Sequence, residues 1–158
     1  MSSNQLILLV EDNPDDAELT IRALTKNRVA AEVVVVREGV DALDFLFATG
    51  AYSGRDREVV PDLILLDLEL PKLKGLEVLR RLRADRRCKL VPVVVMTLSN
   101  EEQEIVEAYQ LGANSYVRKP VDFDRFNELL HHLGRYWLEF NEPPMRRRAA
   151  VGSPPRDP

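Results

Sequence analysis

A single cysteine, Cys88, occurs among 158 residues. The chain can therefore form no internal disulfide and build no cysteine-based zinc site, as suits a reducing compartment. Histidine is nearly as scarce, occurring only as the neighbours His131 and His132. No second set of metal ligands accompanies that pair, so both read as solvated helix residues. Neither sign of charge dominates, since 22 lysines and arginines face 26 aspartates and glutamates for a formal net charge of −4. That balance leaves no basic footprint for nucleic acid, and no nucleic-acid partner is expected. Long apolar runs are missing too. The start, "MSSNQLILLVEDN", has no basic n-region, and its apolar stretch is far short of the roughly 20 residues of a membrane span. These absences point to a soluble, cytoplasmic chain without a membrane partner.

What is present is a set of short, continuous apolar runs: "LILLV" (6–10), "EVVVV" (32–36), "LILLD" (63–67) and "PVVVMT" (92–97), with "SYVRK" (115–119) as a weaker fifth. They lack the alternation of half-exposed strands and read as strands buried on both faces, as in a parallel sheet. Helix signals lie between them. Asn13 precedes Pro14, Asp15 and Asp16 as an N-cap, Ser99 with Glu102 reads as a capping box, Gly112 as a stop, and Asp122 opens a last helix. The alternation predicts an α/β fold: a five-stranded parallel sheet, doubly wound, in a three-layer sandwich with right-handed crossovers. One domain over residues 4–142 with an extended last helix is expected, followed by a disordered Pro/Arg-rich tail over 143–158 that carries Arg146, Arg147 and Arg148. "ATGAYSGRDREVV" (48–60) is a long connection and reads as a surface insertion.

In open parallel sheets function gathers beyond the carboxyl ends of the strands. This chain places its polar residues there: Glu11 and Asp12 after the first strand, Asp67 at the end of the third, Thr97 of the fourth and Lys119 of the fifth. Converging carboxylates repel one another unless a cation neutralises them, and an all-oxygen, incomplete donor set suits magnesium, or manganese in its place. A carboxylate beside such an ion, with an ammonium and a hydroxyl nearby, is equipped to accept a phosphoryl group.

"VEDN", "LLDLELPKLKG", "MT" and "YVRKP", in this order and at these spacings, resemble the receiver domain of two-component response regulators, which has a flavodoxin-like fold. By that resemblance Asp67 is the phosphoacceptor, and Asp12, Asp67 and the backbone carbonyl of Glu69 bind the metal, with Glu11 reaching it mainly through water. Lys119 pairs with Asp67 and then with the phosphoryl group, and Thr97 holds a phosphoryl oxygen. Tyr116 turns inward as Thr97 moves, and a cis peptide joins Lys119 to Pro120. The long connection, "PVDFDRF" and "YWLEFNEPP" look most like single-domain regulators of cyanobacterial and bacterial phytochromes, which implies a phytochrome-type histidine kinase as phosphodonor. Such a protein is no enzyme beyond catalysing its own phosphotransfer and dephosphorylation.

Taken singly, these residues have plainer readings: Glu11 and Asp12 as helix-dipole partners, Thr97 as a strand residue, Tyr116 as core and Lys119 as a surface charge. Their joint placement favours the site. Two rival functions stay open: a magnesium-dependent phosphohydrolase, in which Glu69 would replace the second acid of an Asp-x-Asp pair, and an interaction module that is not phosphorylated. Phe123, Phe126, Leu129, Leu130, Leu133, Trp137 and Phe140 form one stripe on the last helix. The aromatic end of that helix, with Tyr136, Trp137, Leu138 and Phe140, suggests a homodimer contact.

Overall fold

The computed structural model describes residues 5–26 and 31–144. The arginine run and the rest of the expected tail beyond residue 144 lie outside the described residues. Five strands, β1 (Gln5–Val10), β2 (Ala31–Val36), β3 (Leu63–Leu66), β4 (Val93–Thr97) and β5 (Ser115–Arg118), alternate with helices α1 (Pro14–Lys26), α2 (Gly39–Phe47), α3 (Gly75–Ala84), α4 (Glu102–Gln110) and α5 (Phe123–Gly134). All strand pairs are parallel, in the order β2-β1-β3-β4-β5. The expected doubly wound α/β sandwich is the one observed.

Alternate residues of each central strand feed opposite faces of the sheet. Leu6, Leu8, Val10, Ile64, Leu66, Val93 and Val95 pack with Phe45, Val78, Leu79 and Leu82 of α2 and α3. Ile7, Leu9, Leu63, Leu65, Val94 and Met96 pack with Leu24 of α1 and with Phe126, Leu130 and Leu133 of α5. Both faces are therefore apolar, which is why these strands read as unbroken hydrophobic runs.

Local signals divide into those that hold and those that give way. Asn13 Oδ1 accepts from the backbone N–H of Asp15 at 2.9 Å and of Asp16 at 3.1 Å, fixing the start of α1. Asp122 caps α5 in the same way. Gly112 ends α4 with φ at +105°, a left-handed conformation that suits glycine. Ser99, by contrast, is not the cap of α4. Its hydroxyl accepts from Glu101 N–H at 3.2 Å, making a short local turn, and the helix begins only after Glu101. Such local bonding competes with capping for the same hydroxyl. The insertion after α2 is folded back rather than loose. The Arg55 guanidinium lies 3.8 Å from the Phe45 ring centroid and donates to the carbonyls of Phe45 and Val59.

Beyond α5 the chain continues as a π-helical extension, Arg135–Phe140. Leu138 is buried, its carbonyl accepts from Gln5 Nε2 at 3.0 Å, and Trp137 packs against the α1–α5 core. The aromatic end of the last helix is thus partly spent on the protein's own surface. Tyr136 and Phe140 stay more than half exposed.

Candidate functional site

Strand register assembles the carboxyl edge of the sheet. Val10 pairs with Leu66, so the next residues, Glu11 and Asp67, leave the sheet side by side, and Asp67 N–H donates to Val10 O at 3.0 Å. Thr97 pairs with Arg118, and Lys119 N–H donates to Thr97 O at 2.7 Å. Four polar residues, Glu11, Asp67, Thr97 and Lys119, are thereby buried at one edge.

The Lys119 ammonium is the hub. It lies 2.7 Å from Glu11 Oε1, 3.0 Å from Asp67 Oδ2 and 3.0 Å from Asp16 Oδ2. Burial alone would lower the lysine pKa, but the hydrogen bond to Glu11 and the charges of Asp67 and Glu11 outweigh it, and Lys119 titrates above the ordinary lysine value. Burial likewise pushes the Glu11 carboxyl up to about 7, against the opposing pull of Lys119. The second Glu11 oxygen accepts from Asn13 N–H at 3.0 Å, and Asp67 Oδ1 accepts from Glu69 N–H at 2.9 Å. Both carboxylates are therefore fixed at two points.

Gly75 explains how the segment after Asp67 stays close. A Cβ there would stand 2.4 Å from Asp67 O and 2.6 Å from Leu68 Cα, so any larger residue would displace the backbone that carries Asp67. Gly75 N–H donates to Leu68 O at 3.1 Å. Farther along the edge, Thr97 Oγ1 accepts from Ser99 N–H at 3.4 Å, and the Tyr116 hydroxyl donates to Ser99 O at 3.0 Å. The ring of Tyr116 is tied to the loop that leaves Thr97.

Of the residues expected at this site, Glu11, Asp67 and Lys119 are in direct contact, Thr97 is buried beside Lys119, and Tyr116 lies one step removed. Asp12 and the Glu69 side chain are exposed in the flanking loops. Two points depart from the reading of the sequence. No peptide bond is cis among the described residues, so Lys119–Pro120 is trans, the form that an X-Pro bond prefers by about 0.5–1 kcal/mol. Asp16, read as an ordinary first-turn acid of α1, is a full partner of Lys119. Its only local signal is its place one helical turn after Asp12, on the side of α1 that starts at the sheet edge.

The response regulator receiver domain family matches residues 7–131. Response regulator Rcp1 of Synechocystis sp. is 36% identical over 135 residues, which cover 85% of this chain and 90% of that protein. Among solved structures, the phosphorylated cyanobacterial phytochrome response regulator RcpA superposes with a TM-score of 0.85 at 37% identity, covering 90% of this chain and all of the other. The Mn(2+)-bound form of response regulator Rcp1 gives 0.84 at 34% identity, covering 89% of this chain and 99% of the other. The edge residues and these likenesses lead to one conclusion: the chain belongs to the response regulator receiver domain family, homologous to the phytochrome response regulators, with the phosphoacceptor role that the family implies.

Proposed function

We propose that Asp67 accepts the phosphoryl group, from a histidine kinase of the phytochrome type, over a receiver domain spanning residues 4–142. One observation carries this reading: a buried ammonium 3.0 Å from a carboxylate held at its other oxygen, at the carboxyl edge of a parallel sheet. An Asp67 oxygen attacks phosphorus in line, the new P–O bond forms as the P–N bond breaks, and the histidine nitrogen leaves with the electron pair. Lys119 offsets charge on the phosphoryl oxygens and Thr97 donates its hydroxyl to one of them. Tyr116, bonded to Ser99 O, senses the movement of Thr97. The phytochrome assignment rests on the likeness to RcpA and on the insertion and last helix.

The donor chemistry suits a divalent cation, although no three acidic, histidine or cysteine side chains stand gathered as a metal cluster among the described residues. All side-chain ligands are oxygens, and the Lys119 ammonium already sits among three carboxylates, which shows the local demand for positive charge. Asp12, Asp67 and the Glu69 carbonyl would hold the ion, with Glu11 behind them. Magnesium, or manganese, would supply a positive charge against the phosphoryl oxygens. No helix among the described residues is long and apolar enough to cross a membrane, in keeping with a cytoplasmic protein. Tyr136 and Phe140, still exposed at the end of the last helical segment among the described residues, support a homodimer. Sedimentation should then show a dimer at micromolar concentration that Tyr136→Glu with Phe140→Glu disrupts, and a monomer in both proteins would refute it.

Labelling by a phosphorylated histidine kinase tests the central reading. Wild type is expected to take up one phosphoryl group only with a divalent cation present, and Asp67→Asn none. Full labelling of Asp67→Asn on the same time course would sink the assignment.

A further inference from the structure

We propose that Asp16 is a positioning residue of the phosphoacceptor site, holding the Lys119 ammonium in place while Asp67 exchanges its bond to that ammonium for one to phosphorus. The inference rests on Asp67 being the phosphoacceptor. A lysine ammonium has three donors, and Lys119 gives them to carboxylates on three different elements, Glu11 after β1, Asp67 after β3 and Asp16 in α1. Three fixed acceptors define a point. Two leave the ammonium free to swing about the line that joins them, and one leaves only a tether on a flexible four-carbon stem.

Asp67 is the acceptor that phosphorylation alters. Once one of its oxygens is bonded to phosphorus, Lys119 turns that donor toward a phosphoryl oxygen, and its position depends on Glu11 and Asp16. Asp16 is well placed for the task. Its backbone N–H is capped by Asn13 Oδ1 at 3.1 Å and its carbonyl accepts from Thr20 Oγ1 at 2.7 Å, so the start of α1 fixes where its carboxylate stands. The side chain is 28% exposed, and truncating it opens no hole in the core. Preorganised charge is what such a site contributes to phosphoryl transfer, and small misplacements are costly.

The test uses acetyl phosphate as donor, which needs no kinase docking, on full-length wild type, Asp16→Ala, Asp16→Asn, Lys119→Met and the Asp16→Ala, Lys119→Met double variant, with Asp67→Asn as the control. Asp16→Ala is expected to slow labelling of Asp67 about 10- to 100-fold, and Asp16→Asn, which keeps an acceptor oxygen, by less. In the Lys119→Met background Asp16→Ala should cost nothing more, because the residue acts through that ammonium. A second readout needs neither metal nor donor: the nitrogen-15 ammonium resonance of Lys119, sharp in the wild type, should broaden or vanish in Asp16→Ala while the amide spectrum stays folded. Labelling of Asp16→Ala at or above the wild-type rate overturns the proposal, as does an undiminished Asp16→Ala effect in the absence of Lys119, or an unchanged ammonium resonance. Labelling of Asp67→Asn would instead remove the phosphoacceptor reading, and the ammonium resonance would still report on the ion pair.

Discussion

Lys119 and Arg83 are cations at opposite ends of the same sheet, and they are satisfied in opposite ways. Lys119, past the carboxyl end of β5, binds three carboxylates. Arg83, at the end of α3 and past the amino ends of β4 and β5, donates to the carbonyls of Gly112, Cys88, Lys89 and Val91 and to Asn114 Oδ1, over 2.7 to 3.0 Å. Its partners are dipoles, not charges. A guanidinium fork with fixed geometry is suited to pinning several loop carbonyls at once, while a compact ammonium on a flexible stem can pass from one oxygen to another. The amino end is therefore a staple, and the carboxyl end is a place where charges are held ready to change partners.

If that contrast is right, stability and chemistry separate by end. Arg83→Ala strips the hydrogen bonds from several part-buried carbonyls, and at about 1 to 3 kcal/mol for each group left unsatisfied, with part of the loss recovered by water, the cost should be about 2 to 4 kcal/mol. Arg83→Lys should recover only part of it, since one ammonium cannot replace the fork. Cys88 offers a local probe at the same end. Its thiol is fully buried, and burial pushes its pKa up to about 12, so it should react slowly with disulfide reagents in the wild type and faster in Arg83→Ala. Phosphoryl labelling of Asp67 per folded Arg83→Ala molecule should stay at the wild-type rate. Asp67→Asn should do the reverse, silencing labelling while the urea midpoint holds, because it removes one of three mutually repelling carboxylates. Chemical denaturation and phosphoryl labelling of both variants decide the matter. An Arg83→Ala protein that is as stable as wild type, or that labels poorly when folded, breaks the comparison.

The carboxyl end was far more legible in the sequence than the amino end, for a physical reason. A charge is conspicuous at the end of an apolar run, and Asp67 in "LILLDLEL" stands out because desolvating it demands a partner. Strand ends then gather such residues at one edge whatever the detailed packing. Arg83 has no such signature. It is one arginine among several in "RRLRADRR", and its acceptors are backbone carbonyls, which every residue possesses. Asp16 was hidden by a different cause, a contact with a residue 103 positions away that overlies an equally good local explanation, the helix dipole. Leu138 is buried and Trp137 partly buried against the protein's own α1–α5 core, a placement that periodicity does not reveal, because it shows which face is apolar and not what covers it.

The smallest effect lies within α3 itself and sharpens the contrast from below. Arg80 and Arg81, a turn before Arg83, both hydrogen-bond Glu77 on the outer face of the helix. These bonds hold the Glu77 carboxyl well below its ordinary value of 4.5, at about 2. A carboxylate whose folded pKa is depressed contributes stability that is fully present above its unfolded pKa and lost as pH falls through the folded one. Glu77 should therefore steepen the loss of stability between about pH 4.5 and pH 2, and Glu77→Gln should flatten that part of the profile by being slightly less stable at neutral pH and converging with wild type as pH falls to about 2. The group is exposed, so solvent screens it and its effect must be far smaller than that of Arg83. Denaturation midpoints across this range would show it. In about 1 M salt, where the screening length shrinks to about 3 Å, the difference between wild type and Glu77→Gln should narrow, whereas the deficit of Arg83→Ala should not, because its partners are part-buried dipoles. Equal salt sensitivity in the two variants would mean that Arg83 acts as another surface charge and that the staple is not one.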